Sequence, residues 1–268
     1  MPFATNNGVR IYFELEGSGP PLVLAHGISG SLEDWREFGW VDELKDRYQL
    51  ILVDARGHGR SDKPHEPDAY RLPHQAMDHI AVLDSVGIEG THFMGFSMGG
   101  LVSLAAAIYT PERCKLFMMG GTQPYARDER LLKTGLPIPK PLEGMPDADN
   151  PVDELLASGG EDWVAFFEAN MAVSPEMKKR LIENDYVAVR ARFAAIYERD
   201  LSRHLHSAQM PGLIYMGEEE PSYGGAKQLA EQLPNAEFVA FPGLNHFDML
   251  TQIELVLPVI LRFLSQSN

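Results

Sequence analysis

From residue 9 onward the chain alternates short β-type runs with helical patterns, and that rhythm limits its fold more than any other feature. VRIYFELEG (9–17) alternates apolar with polar residues, whereas PLVLAHG (21–27), QLILVDARG (49–57), THFMGF (91–96) and CKLFMMGG (114–121) are nearly continuous apolar runs. Continuous apolar strands with helices between them describe a parallel sheet covered on both faces. Helical spacing appears at 32–47, at 74–87 and, as MGGLVSLAAAIYT, at 98–110. The rhythm stops at about residue 122. A Pro-rich stretch follows, then amphipathic helices near 152–171, 175–184 and 186–200, with no convincing strand. It resumes with PGLIYMGEEE (211–220), the helix GGAKQLAEQL, the strand EFVAFPG (237–243) and a terminal helix over 248–265. The expectation is an α/β core of residues 1–121 and 206–268, interrupted by a helical cap insertion at 122–205.

At 268 residues and 44% apolar composition, the chain can build its core without metal or disulfide. Its 38 acidic against 23 basic residues give a formal charge of −15, which argues against nucleic acid and anionic membranes as partners. The single cysteine, Cys114, lies in a strand-like run and reads as a buried, inert thiol. The first 17 residues carry neither a basic nor an apolar leader, and no apolar run has the length of a membrane span. A cytoplasmic protein is expected.

The chemistry gathers around Gly95-Phe96-Ser97-Met98-Gly99, a G-x-S-x-G pattern set after a strand and before a helix. In such a sharp turn small residues relieve backbone crowding, and the serine projects above the sheet. A serine hydroxyl needs a base to become a nucleophile, so a histidine and a carboxylate are expected further along the chain. Most of the nine histidines have plainer readings: His65, His74 and His79 on loop or helix surfaces, His92 at a strand edge, His58 in a turn, and His204 and His206 at a helix end. His246 differs, because it follows the last strand, at the sheet edge where α/β proteins build their sites. It reads as the general base. For the carboxylate the residues alone leave Glu218, Glu219 and Glu220 open.

With His26-Gly27-Ile28 after an early strand, Asp54 to Ser61 (DARGHGRS) after the next, GFSMGG at the turn and Asn245-His246-Phe247 late in the chain, the sequence resembles the α/β-hydrolase superfamily over nearly its whole length. The likeness is to its capped, cofactor-free esterases, lactonases, perhydrolase-type haloperoxidases and carbon–carbon bond hydrolases. It implies Ser97 as nucleophile, His246 as base and Glu220 as the triad acid, in the place where the family commonly has aspartate; Glu219 is the fallback. It also implies an oxyanion hole from the backbone N–H groups of Ile28 and Met98, with His26 structural and the DARGHGRS turn bracing the site. Serine rather than aspartate at 97 puts the chain on the acyl-transfer side of the superfamily.

No metal, nucleotide or other cofactor is implied: Asp62 stands where a dinucleotide fingerprint needs its third glycine, and no metal-ligand or P-loop pattern occurs. In the cap, Leu155, Leu156, Trp163, Phe166, Phe167, Met171 and Phe193 are apolar. Most are expected to pack internally, with Tyr125, Trp163 and Phe167 as substrate-binding candidates. No arginine is identifiable as a carboxylate clamp, so the expected partner is a small to medium neutral ester or lactone, cleaved by a carboxylesterase-like enzyme. A carbon–carbon hydrolase with the same triad, or a small-molecule receptor on the same fold, is the alternative.

Overall fold

The computed structural model describes residues 2–125, 159–197 and 201–266. Eight strands form one sheet: β1 (Phe3–Asn6), β2 (Val9–Glu16), β3 (Pro21–Ala25), β4 (Gln49–Val53), β5 (Thr91–Phe96), β6 (Cys114–Gly120), β7 (Gly212–Gly217) and β8 (Ala236–Phe241). Their order is β1-β2-β4-β3-β5-β6-β7-β8. β1–β2 and β2–β4 pair antiparallel, and every other neighbouring pair is parallel. This is the expected α/β arrangement with flanking helices.

Burial on both faces explains the continuous apolar runs. Val23, Ile51, Phe93, Phe117, Met119 and Ile214 pack into one layer with the helices Leu72–Ser85 and Met98–Tyr109. Leu22, Leu24, Leu50, Leu52, Met94 and Met118 face the other layer, with Trp35, Trp40 and the helix Ile253–Ser265. All six residues of β5 and of β7 are buried, so neither strand has a polar face to show in its sequence.

Three features depart from the sequence reading. An N-terminal strand, β1, joins β2 through Asn7-Gly8, with φ +48° and +82°, the positive pair a two-residue hairpin turn requires. The pattern at 32–47 is two short helices, Glu33–Glu37 and Trp40–Leu44, broken at Gly39 with φ +84°. The terminal helix is likewise two, Asp248–Thr251 and Ile253–Ser265, parted at Gln252.

Between β6 and β7 the described residues form the helices Gly160–Glu168, Pro175–Glu183 and Tyr186–Tyr197 and contain no strand. Leu155 and Leu156 lie outside the described residues. These helices rest on loops at the C-terminal edge of the sheet. Asn184 Nδ2 donates to Ser29 O at 2.8 Å, Arg180 bridges Asp34 and Glu37 at 3.1 and 2.5 Å, and His65 meets Asp185 at 2.9 Å.

Candidate active site

β5 ends in a turn that only small residues allow. A Cβ on Gly95 would lie 2.0 Å from Gly99 O, and one on Gly99 would lie 1.9 Å from Ala25 O. Between them Ser97 takes φ +54° and ψ −116°, a conformation unusual for any residue but glycine. Its N–H donates to Gly120 O at 2.8 Å, which ties the turn to the end of β6. Ser97 is half-buried while its neighbours on both sides are buried, so the strained residue is the one left open to solvent.

His246 follows β8. Its Nδ1 lies 2.8 Å from Glu220 Oε2. A carboxylate only accepts, so Nδ1 carries a proton, and in the neutral ring Nε2 keeps the lone pair. The Glu220 side chain is 1% exposed and that of His246 is 34% exposed, so a buried carboxylate holds an imidazole that is partly open to solvent. Of the three successive glutamates, Glu218 and Glu219 are exposed and Glu220 alone is buried. A turn closed by Glu220 N–H donating to Gly217 O at 3.2 Å directs it inward.

The Phe96 ring, next to Ser97 in the chain, lies 4.9 Å from the imidazole, and Phe247 stands edge-on to it at 5.6 Å. A Cβ on Gly121 would lie 3.1 Å from His246 Cε1, so glycine there makes room for the ring. The Ser97 hydroxyl makes no hydrogen bond to His246 or to any other described residue. Such bonds are commonly long or unmade without substrate.

On the other side of Ser97 lies the loop after β3. A Cβ on Gly27 would come within 3.6 Å of Ser97 Cβ. The N–H groups of Ile28 and Met98 donate to no other described residue. Met98 opens a helix, where unpaired N–H groups and the dipole favour negative charge. His26 holds this loop: Nε2 accepts from Ala55 N–H at 3.0 Å, which leaves Nδ1–H to donate to Gly27 O at 2.7 Å. Asp54 accepts from Leu32 N–H and Arg60 N–H, both at 2.8 Å, while Ser61 Oγ donates to Asp54 O at 2.6 Å. The loops after β3 and β4 are thus tied together.

Trp163 is buried against Val189, with Ile28, Phe166, Phe167, Tyr186 and Phe193 packed around the pair. Phe167 reaches Phe247 at 5.6 Å between ring centres, so an aromatic group runs from the inserted helices to the imidazole. Tyr125 lies outside it: its hydroxyl donates to Gln232, the last residue of the helix Tyr223–Gln232, at 2.9 Å. One expectation fails on burial: His79, read as lying on a helix surface, is inside the protein, as is His92 near the start of β5. Sequence reasoning gave Phe247 no role and passed over Arg192. Arg192 lies on Tyr186–Tyr197, is 1% exposed, and leaves Nε and Nη2 without a partner. Cys114 is buried, with its thiol pushed well up by burial.

The sequence model of the alpha/beta hydrolase fold matches residues 20–252. The chain belongs to the alpha/beta-hydrolase family. A protein named for carbamate hydrolysis, RutD of Azorhizobium caulinodans, is 27% identical to this α/β hydrolase, covering 94% of each chain. A 2-hydroxy-6-oxononadienedioate/2-hydroxy-6-oxononatrienedioate hydrolase of Paraburkholderia phymatum is 30% identical, over 96% of this chain and 92% of its own. Among solved structures, an esterase from Exiguobacterium antarcticum superimposes with a TM-score of 0.78 at 22% identity, covering 98% of both chains, a likeness of fold.

Proposed function

We propose that this α/β hydrolase is a serine hydrolase that cleaves small to medium carboxylic esters or lactones through an acyl-enzyme. The observation that carries the reading is the strained Ser97 turn beside an imidazole whose Nδ1 is held 2.8 Å from a buried carboxylate. Ser97 Oγ attacks the acyl carbon while His246 Nε2 takes its proton. The imidazolium that forms is stabilised by the Glu220 carboxylate. Negative charge on the carbonyl oxygen is received by the Ile28 and Met98 N–H groups, fixed in place before the reaction. His246 then returns the proton to the leaving alcohol. Water, deprotonated by the same imidazole, releases the acid and regenerates Ser97.

The helices between residues 159 and 197 act as the cap over this site, with Trp163, Phe167 and Phe247 as its apolar wall. The test is fluorophosphonate labelling of the wild type and of Ser97→Ala, followed by a p-nitrophenyl ester chain-length series. Labelling of the wild type alone, with turnover of short and medium esters, is the expected result. An unlabelled wild type refutes the nucleophile.

A second reading, hydrolysis of a carbon–carbon bond in a vinylogous diketone, draws support from the 30% identity to the Paraburkholderia hydrolase. It uses the same three residues. Turnover of such ketones without turnover of simple esters would select it.

A further inference from the structure

Among the described residues, arginines that are half-buried or deeper have acidic partners, with one exception. Arg56 clasps Asp78 with Nε and Nη2 at 2.6 and 2.5 Å, and Arg180 bridges Asp34 and Glu37. Arg192 is buried as deeply as Arg56, yet the same two-pronged edge, Nε and Nη2, meets no acceptor among the described residues. A buried charge without a partner is strongly unfavourable, and burial already pushes this guanidinium down to about 10. Such an arrangement is accounted for when the missing partner is a ligand.

Its surroundings say which kind. Arg192 lies one helical turn beyond Val189, which packs with Trp163 and Ile28; Ala188 and Ala191, on the adjoining stripe of the helix, pack on Tyr70. The guanidinium therefore enters between the Ile28 loop and Tyr70, on the side of the helix laid against the sheet edge. Two further buried donors around the Ile28 loop lack partners, Trp163 Nε1 and Ser29 Oγ. His58, close enough to feel the Arg192 charge, is held neutral, its pKa pushed down to about 3 mainly by burial. Tyr70 spends its hydroxyl proton on Pro64 O at 2.6 Å. Among the described residues no carboxylate bonds to the guanidinium, and a planar fork of two parallel N–H groups fits a carboxylate best.

We infer that Arg192 binds a free carboxylate on the substrate, so that the ester or lactone cleaved at Ser97 belongs to a dicarboxylic acid. The inference rests on the serine-hydrolase reading, and Gly27 and Ile28 connect the two centres: Gly27 lies against Ser97, and Ile28 packs in the cluster containing Val189. It replaces the sequence expectation of a neutral substrate, which followed from finding no arginine clamp.

The test pairs p-nitrophenyl butyrate with mono-p-nitrophenyl glutarate, similar in length and differing by one carboxylate. The wild type is expected to favour the glutarate at least about tenfold in kcat/KM. Arg192→Gln is expected to lose about 10- to 100-fold on the glutarate, mainly through KM, and less than about threefold on the butyrate. Arg192→Lys, charged but without the fork, falls between. Calorimetric binding of glutarate to Ser97→Ala, lost in Ser97→Ala with Arg192→Gln, gives a second readout that needs no turnover.

Arg192→Met is expected to leave Tm unchanged or raise it, since an unpaired charge leaves the interior. A fall in Tm with equal losses on both esters would make Arg192 a structural prop and overturn the inference. So would equal wild-type turnover of both esters, or no glutarate binding. Glutarate binding by a protein that fluorophosphonate does not label refutes the serine mechanism and leaves the anion site standing.

Discussion

Glu220 shows how one methylene is accommodated. Glutamate reaches further than aspartate, and the turn closed onto Gly217 O sets it back far enough to meet Nδ1 at 2.8 Å. Replacing it with glutamine keeps the shape but supplies an amide whose N–H₂ competes to donate to the ring, favouring the wrong tautomer. Glu220→Gln is therefore expected to lower kcat about 10²- to 10⁴-fold with little change in KM, while Glu219→Gln, exposed and without a hydrogen bond to the ring, changes neither. Steady-state kinetics on one p-nitrophenyl ester checks both, and wild-type turnover by Glu220→Gln would remove the assignment. Gly99 is as constrained as Ser97. Its missing Cβ would lie 1.9 Å from Ala25 O and 2.8 Å from His26 O, both backbone. Gly99→Ala must push the end of β3 and the Ile28 loop away from Ser97. It is expected to cost about 1–3 kcal/mol in urea unfolding and to lower kcat together. Unchanged kcat in a destabilised Gly99→Ala would show that the Ile28 loop takes no part.

At the level of elements, the loop after β4 is joined to the helix Leu72–Ser85 by the Arg56–Asp78 pair, each side chain 3% exposed, with Asn6 Nδ2 adding a bond to Asp78 at 2.8 Å. A buried pair contributes little over an apolar substitute, but removing one member strands the other. Asp78→Ala is expected to cost about 3–5 kcal/mol by denaturant unfolding, and replacing Arg56 and Asp78 together with Met and Leu to cost less than Asp78→Ala alone. A double variant as unstable as the sum of the singles would refute that account. The elements themselves were mostly legible. Strands buried on both faces are continuous apolar runs, and β5 was read to the residue at 91–96. The hairpin of β1 and β2 was missed although Asn7-Gly8 announces it, because four residues with alternating burial make too short a pattern. Helix breaks at Gly39 and Gln252 escaped because apolar spacing continues across both. In the candidate site, Ser97 and His246 were singled out because a strand, a turn and chain order mark them. Arg192 was not, since an arginine in a helical pattern reads as solvated, and its burial comes from the packing of its helix on segments distant in sequence, Tyr70 and Ile28 among them.

For the molecule as a whole, the same covering decides how the fold meets acid. His58 and His92 are held neutral by burial, with pKa pushed down to about 3 and about 4, and buried His79 is shifted the same way. In the unfolded chain all three titrate near the ordinary value of about 6.5. Their folded values lie below their unfolded values, so as pH falls past about 6.5 the unfolded state takes up protons that the native state refuses. Stability then falls with pH, at about 1.4 kcal/mol per pH unit for each fully protonated unfolded histidine. Between pH about 6 and 5 most carboxylates have yet to titrate, which leaves the histidines as the main contributors to the slope. His92 is the one to remove: it lies inside β5, its Nδ1 has no partner, and it has no place in the proposed chemistry. His92→Leu is expected to reduce the pH dependence of the unfolding free energy in that window by about one proton's worth, without changing the plateau slope above pH 7. Urea titrations at half-unit pH steps measure it. An unchanged acid slope in His92→Leu would mean that the fold admits a proton to His92, and that the acid limit of this hydrolase is set by its carboxylates.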